Sequence, residues 1–374
     1  MTDLPPDTKT FRALIDAEIA PHADRFDRQE HLPPDVLARL GEWGWWGAIL
    51  PTDVGGTGMN MVTLGALHEE VGRGCSSVRS LLTVHSMVAY ALTRWGNTHQ
   101  QQRWLPKLAT GQAIGAFCLT EPEGGSDAAH LTTTATRRTG GYTLHGRKRW
   151  ITGGRLATLF LVFARTERGV TAFLIERDTP GLTTRPLTGM LGTRASMLAE
   201  VDFHDCHLDA DALLGPEGFA LPTVLTGVLD IGRYSVACGC VGILQACTEA
   251  SATYATTGGN RPHPLADHQL VRQMLTQMVT DTKAARLLCQ EAGRLKDRND
   301  PDTIMATWIA KYFASTAATR AATDAVQIHG AAGCSADHPV QRYYRDAKVM
   351  EIIEGSTQIQ QIHIAEEAWK WTAR

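Results

Sequence analysis

"QIHGAAGCSADHPVQRYYRDAKVMEIIEGSTQIQ", residues 327–360, decides how the rest of the chain is read. A helical pattern runs into a glycine turn at Gly330, resumes after Pro339 and breaks again at Gly355-Ser356. Glu354 stands between Ile352-Ile353 and that second break, where a new helix begins. Glu351 lies one helical turn upstream, also in an apolar setting. A carboxylate stripped of water by such neighbours becomes a better proton acceptor near neutral pH. From this stretch alone, each glutamate can equally be a base or an ordinary helix-end charge.

Working outward, "ADHQLVRQMLTQMVTDTKAARLLCQEAGRLKD" and "DTIMATWIAKYFASTAATRAATDAVQIHG" are long helical stretches. They follow "LTGVLDIGRYSVACGCVGILQACTEASATYA", whose Ala, Gly, Ser and Cys content lets helices approach closely. Residues 222–374 are therefore expected to form a four-helix bundle. Between 113 and 221 the texture changes to short runs, "AIGAFCLT", "YTLHGRKRWIT", "TLFLVFAR" and "VTAFLIER", which predict an antiparallel β domain. Residues 1–112 read as an all-α domain. There "DVLARLGEWGWWGAIL" predicts one helix, and "NTHQQQRWLPKLATG" predicts another, capped at Asn97 or Thr98 and stopped at Gly111. The fold class is α+β, in the order helices, sheet, bundle.

Composition narrows the function. The chain has 374 residues, 43% hydrophobic and 20% charged, with a net charge of −3, so nothing attracts it to nucleic acid or to an anionic membrane. No apolar stretch is expected to reach the length of a membrane span, and the opening residues do not form a signal peptide. Eight cysteines without a CxxC pair fit free thiols in a reducing cytoplasm. No metal site is assigned: "HDCH", His204 to His207, comes nearest and reads as polar strand-end residues.

Two further words carry chemistry. "FCLTEPEGGSD" (117–127) ends a strand in a glycine loop that presents Ser126, suited to polar ring edges or phosphate oxygens. It reads equally as a simple turn. "KRWITGG" (148–154) puts Trp150 and Thr152 on one face of a strand if side chains alternate, an aromatic wall beside a hydroxyl. A core Trp with a surface Thr is the plainer reading. Taken in order with "QIHG", "PVQRYYRD" and "IIEGS", these words resemble the acyl-CoA dehydrogenase family across nearly the whole chain; "PTDVGGTGM" and "RWLPKLATG" also fit.

That resemblance implies FAD between the β domain and the bundle. Leu119, Thr120 and Ser126 would line the flavin and its pyrophosphate, Trp150 and Thr152 would flank the ring, and Ser356 and Gln358 would complete the site. Gln269, Gln327 and the Gly330 turn would reach the FAD of a neighbouring subunit, making a homodimer or homotetramer. It also implies Glu354 as base, with its backbone N–H polarising a thioester carbonyl, and Glu351 as scaffold. Electrons would leave to an electron-transfer flavoprotein or another acceptor.

"SSVRSLLTVHSM" (76–87), "RYSVACGCVGILQAC" (233–247) and "YRDAKVMEIIEGS" (344–356) resemble the branch that makes hydroxymalonyl or methoxymalonyl units on an acyl carrier protein. "RSLLTVHS" also resembles the carboxylate-binding Arg-Ser segment of glutaryl-CoA dehydrogenases. Arg79, Ser80, Arg233 and Gly355 are accordingly the substrate-side candidates, and the substrate is a polar short-chain acyl thioester on a carrier protein or on CoA. An α,β-dehydrogenase of a short or dicarboxylic acyl-CoA and a non-catalytic carrier-binding scaffold are the alternatives. Two positions depart from the family pattern: Gly258 stands where an FAD-contacting Arg is usual, with Arg261 nearby, and Ala331 replaces a usual glycine.

Overall fold

The computed structural model describes residues 7–257 and 263–371. The N-terminal helices are α1 (Thr8–Glu18), α2 (Ala23–Gln29), α3 (Pro34–Glu42), α4 (Met61–Gly74), α5 (Ser76–Trp95) and α6 (Thr98–Thr110). Caps set several of their ends. The Asn60 side chain accepts the Thr63 N–H, and Asn97 forms a reciprocal capping box with Gln100. Gly111, at φ 77°, stops α6 as expected. The helix predicted from Asp35 to Leu50 is shorter: it ends at Glu42, and Gly44, at φ 71°, turns the chain away.

Strands β1 (Gly115–Cys118), β2 (Thr134–Arg138), β3 (Gly141–Ile151), β4 (Leu159–Thr166), β5 (Gly169–Glu176), β6 (Leu182–Pro186), β7 (Ala199–Asp209) and β8 (Leu213–Leu214) form one sheet. Its order is β6-β7-β3-β2-β4-β5-β8, with β1 paired to β4. The sheet is mixed rather than purely antiparallel, because β1 runs parallel to β4 and β2 touches β4 in parallel. Strand direction across such long connections is a tertiary property that local patterning does not encode.

The C-terminal part contains α7 (Thr226–Thr257), α8 (Gln269–Asp297), α9 (Thr303–His329), α10 (Val340–Met350) and α11 (Thr357–Trp371). A π-helical turn, Leu221–Leu225, precedes α7. The segment Leu221–Thr257 is long and apolar enough to cross a membrane, contrary to the expectation from sequence. Its most apolar window is 83% buried, so these apolar residues are core, packed against α4, α8 and α9.

One core joins all three parts, with Val88 of α5, Leu159 of β4 and Val228 of α7 fully buried in the same cluster. The "PVQRYYRD" run adds polar ties. Arg342 binds Asp24 (2.7 Å), Arg345 binds Asp27 (2.6 Å) and the Leu191 carbonyl, and buried Asp346 accepts the Thr193 N–H (2.6 Å). Helix α10 is thereby fixed to both α2 and a loop of the β domain just before the chain reaches Glu354.

Candidate active site

Glu354 and Gly355 follow α10 with φ 55° and 91°, a left-handed pair at the entrance to α11. For a glutamate this conformation is uncommon and needs support from its surroundings. That support comes from two buried cations. Arg233 of α7 donates from Nε to the Glu354 carbonyl (3.2 Å), and Lys311 of α9 donates from Nζ to the Gly355 carbonyl (2.8 Å). Gln360 adds a bond to the same Gly355 oxygen (2.9 Å). The Arg233 guanidinium lies over the Trp308 ring at 4.2 Å.

This turn sends the Glu354 side chain inward over Gly232 of α7, where an added Cβ would come within 2.3 Å of Oε2. Although the residue is only half-buried as a whole, Oε2 is sealed from solvent and has no hydrogen-bond partner. Burial raises the carboxyl pKa from 4.5 to about 7, opposed by the charges of Arg233, Lys311 and Arg79. The Glu354 N–H donates to no other backbone group among the described residues. Glu351 differs: it is paired with Lys348, and its carbonyl accepts the Thr357 N–H.

Arg79 enters the same region from α5. It is 1% exposed and donates to Thr83 Oγ1 (2.9 Å) and Ser80 Oγ (2.8 Å), with Met350 Sδ at 3.3 Å. Thr83 in turn contacts Ser235 Oγ of α7 at 2.5 Å. Among the described residues no carboxylate lies within ion-pair distance of Arg79, Arg233 or Lys311. Beside Arg79, His68 is buried with neither ring nitrogen hydrogen-bonded, and burial holds it neutral with a pKa of about 3.

The β-domain residues meet this cluster across α5. Gly153, just past β3, packs on Leu81 and Val84, while Arg79, Thr83 and Met87 of the same helix face α7 and Glu354. Trp150 and Thr152 do not share a strand face by simple alternation. Trp150 sits in a bulge of β3 at φ 57°, and Thr152 lies beyond the strand in the turn. The bulge re-aims the indole outward, leaving it 41% exposed with the Arg149 guanidinium over it at 5.0 Å.

Leu119 is buried, Thr120 half-buried and Ser126 exposed. Their loop is held by a pair that sequence reasoning missed, Glu121 and Lys148. The fully buried Lys148 donates to the Leu119 carbonyl (3.0 Å) and to Glu121 Oε1 (2.8 Å). Glu121 also accepts from the Thr132 N–H and hydroxyl and from the Thr133 N–H. Burial alone would raise its pKa, but these donors bring it down to about 2. Lys311 was missed as well. Its signal was a lysine on the stripe Thr307, Lys311, Ala314, Ala318, all of it buried.

Gln269 and Gln327 are exposed at the adjoining ends of α8 and α9, and Gly330 caps α9 at φ 61°, ψ −138° with open space where a Cβ would stand. Ala331 is exposed beside it; Gly258 and Arg261 lie outside the described residues. Ser356 accepts the Ile359 N–H at the start of α11, and Gln358 is exposed. His204 and Asp205 share a second bulge with His145, their ligand atoms within 4.8 Å of one another on the open surface of the β domain. All eight cysteines are free thiols.

An outward-facing indole suits a flat aromatic ring. The glycine loop at 124–126 and the open Gly330 turn suit phosphate oxygens. The residues present therefore fit FAD. Comparison with known proteins agrees. Residues 8–112, 116–206 and 203–369 match the N-terminal, middle and C-terminal domains of acyl-CoA dehydrogenase. An acyl-CoA dehydrogenase of Bacillus subtilis (strain 168) is 36% identical over 363 residues, 96% of this chain and 95% of that one. The glutaryl-coenzyme A dehydrogenase–glutaryl-CoA complex superposes with a TM-score of 0.93 at 32% identity, covering 99% and 97% of the two chains. FkbI, for biosynthesis of the methoxymalonyl extender unit of the polyketide immunosuppressant Fk520, gives 0.88 at 32% identity, covering 97% and 99%. The chain thus belongs to the acyl-CoA dehydrogenase family, FAD-dependent oxidoreductases that act on acyl thioesters.

Proposed function

We propose that this protein oxidises a polar or acidic short-chain acyl thioester, presented by an acyl carrier protein, in the making of hydroxymalonyl- or methoxymalonyl-type extender units. The observation that carries this reading is that three buried cations, Arg79, Arg233 and Lys311, surround the Glu354 carboxylate, while none of them lies within ion-pair distance of a carboxylate among the described residues. Such an excess of positive charge is costly around a purely aliphatic chain and favourable around an anionic or hydroxylated one. Arg79 is the cation best suited to meet the acyl group, since its guanidinium already lies among the hydroxyls of Ser80 and Thr83.

Glu354 acts as the base: its sealed carboxylate has a free oxygen, and its pKa of about 7 suits proton removal at neutral pH. Its unused N–H polarises the thioester carbonyl. Where the oxidised carbon is an aldehyde hydrate, the proton removed is a hydroxyl proton instead. Bound FAD supplies the acceptor for the hydride. Leu119, Thr120, Ser126, Trp150, Thr152, Ser356 and Gln358 would hold it, with Gln269, Gln327 and Gly330 reaching the flavin of a second copy in a homodimer or homotetramer. Similarity to FkbI supports the extender-unit branch. Similarity to the glutaryl-CoA complex supports a second reading, a dehydrogenase of a short dicarboxylic acyl-CoA.

Anaerobic bleaching of the flavin decides between them. A hydroxylated three-carbon acyl group on a carrier protein should bleach it at least tenfold faster than the same group on CoA, whereas the reverse order selects the CoA reading. Arg79→Met should lower kcat/KM for the polar acyl group roughly tenfold to a hundredfold, the worth of a charged hydrogen bond. Undiminished activity in that variant refutes the claim that the buried cations select a polar or acidic acyl group.

A further inference from the structure

Lys311 is completely buried on α9, yet no carboxylate among the described residues pairs with it. A buried ammonium without an ion-pair partner is costly, and a residue needed only to fill space on this stripe would be apolar, as Ala310, Ala314 and Ala318 are. What Lys311 does touch is the Gly355 carbonyl, at 2.8 Å, while Arg233 holds the preceding carbonyl from the opposite helix. The two cations therefore grip consecutive carbonyls of the left-handed pair that aims Glu354 over Gly232.

We propose that Lys311 is a positioning residue for Glu354, fixing its turn through the Gly355 carbonyl and keeping the adjacent carboxyl ionised with its charge. The catalytic meaning of this inference rests on the reading of Glu354 as base. Burial pushes that carboxyl towards the neutral acid, which cannot accept a proton, and three cations oppose it: Arg233 from α7, Lys311 from α9 and Arg79 from α5. Around Lys311 itself stand Cys240 and Arg233 of α7, together with Glu351 and Glu354, and from α11 the uncharged Gln360 bonds the same Gly355 carbonyl. Burial brings the ammonium down to about 8, so at neutral pH it is still mostly charged. Lys311 bonds the Gly355 carbonyl and has no second hydrogen-bond partner among the described residues, whereas Arg233 also lies over Trp308 and Arg79 bonds Ser80 and Thr83.

The test is an infrared titration of the Glu354 carboxyl in the FAD-loaded protein, its protonated carbonyl band assigned by its loss in Glu354→Gln. Lys311→Met removes charge and hydrogen bond; Lys311→Gln removes the charge but keeps a donor, and carries the test if the methionine variant fails to fold. Both should raise the midpoint of the band by roughly one unit or more, because one cation beside the carboxylate is gone. An unchanged midpoint in a variant that retains FAD overturns the inference. Bleaching of the flavin by glutaryl-CoA in Glu354→Gln is measured alongside. If it proceeds as in the parent while the midpoint still shifts, the base assignment falls, and with it the positioning role in catalysis.

Discussion

Replacing Glu354 with Gln should stop substrate-dependent bleaching and, less obviously, make the protein more stable at alkaline pH. The carboxyl has a pKa of about 7 in the fold against an ordinary 4.5. A raised carboxyl binds its proton more tightly when folded, so its contribution to stability is complete below pH 4.5 and is lost as pH rises through 7. At about 1.4 kcal/mol per unit, the full loss is about 3 kcal/mol, of which about 2.5 kcal/mol falls between pH 5 and pH 8. Glutamine does not titrate and escapes this loss. The difference in melting temperature, variant minus parent, should therefore increase by roughly 3 °C from pH 5 to pH 8 for a chain of this length unfolding as one unit. Thermal unfolding of both proteins in matched FAD-saturated buffers reads it directly. Parallel melting curves across that range would refute the claim that Glu354 is a strained, desolvated carboxylate, whatever the variant does to activity.

Other positions give sharper structural tests. Gly232→Ala would set a methyl 2.3 Å from Glu354 Oε2 and 2.9 Å from Met87 Sδ, so the carboxylate must move. Stopped-flow bleaching should slow about a hundredfold, as expected for a displacement near 1 Å, with FAD content unchanged; a rate within twofold of the parent would show that the base does not rest there. Lys148→Met breaks a buried pair and leaves the Glu121 carboxylate with only its Thr132 and Thr133 donors, at a cost of about 3 kcal/mol. The variant should purify with less flavin and melt earlier, and full FAD retention at the parental melting temperature would show that the pair does not hold the loop.

What could be read from the sequence, and what could not, divides along physical lines. The cap at Asn97 and the stop at Gly111 are local, and both appear in the structure at those residues, whereas the helical period from Asp35 is cut short at Glu42. The short apolar runs became β1, β3, β4 and β5, but the parallel pairing of β1 with β4 depends on contacts between residues distant in the chain. Trp150 was expected on a regular strand, and no periodicity argument can anticipate a bulky residue held at φ 57°. The two glutamates at the end of α10 are equivalent in their local pattern and are told apart only by the family resemblance; the structure adds a physical difference, Lys348 pairing with Glu351 while Glu354 Oε2 has no hydrogen-bond partner. Lys148 and Lys311 were hidden for a different reason. Lysine is presumed to be exposed, and only its place on a buried stripe betrays one that is not.

Helix α7 shows how packing and chemistry share one surface. Its small residues were read as a device for close helix approach, and at Gly242 they are that alone: an added Cβ there would strike the Glu69 carbonyl of α4 at 2.1 Å. Two turns of helix separate Gly232 from Gly239, which puts them on nearly the same face. Gly239 meets Gly72 of α4, but a Cβ there would also lie 2.5 Å from Arg79 Cδ, and at Gly232 it would occupy the place of the Glu354 carboxyl. The stripe that allows α4 to dock thus continues as the floor beneath both the Arg79 guanidinium and the carboxyl of Glu354, the proposed base. Substitutions along it should grade from purely destabilising at Gly242, through mixed at Gly239, to mainly catalytic at Gly232. A helix chosen only for close packing would have no reason to follow that order.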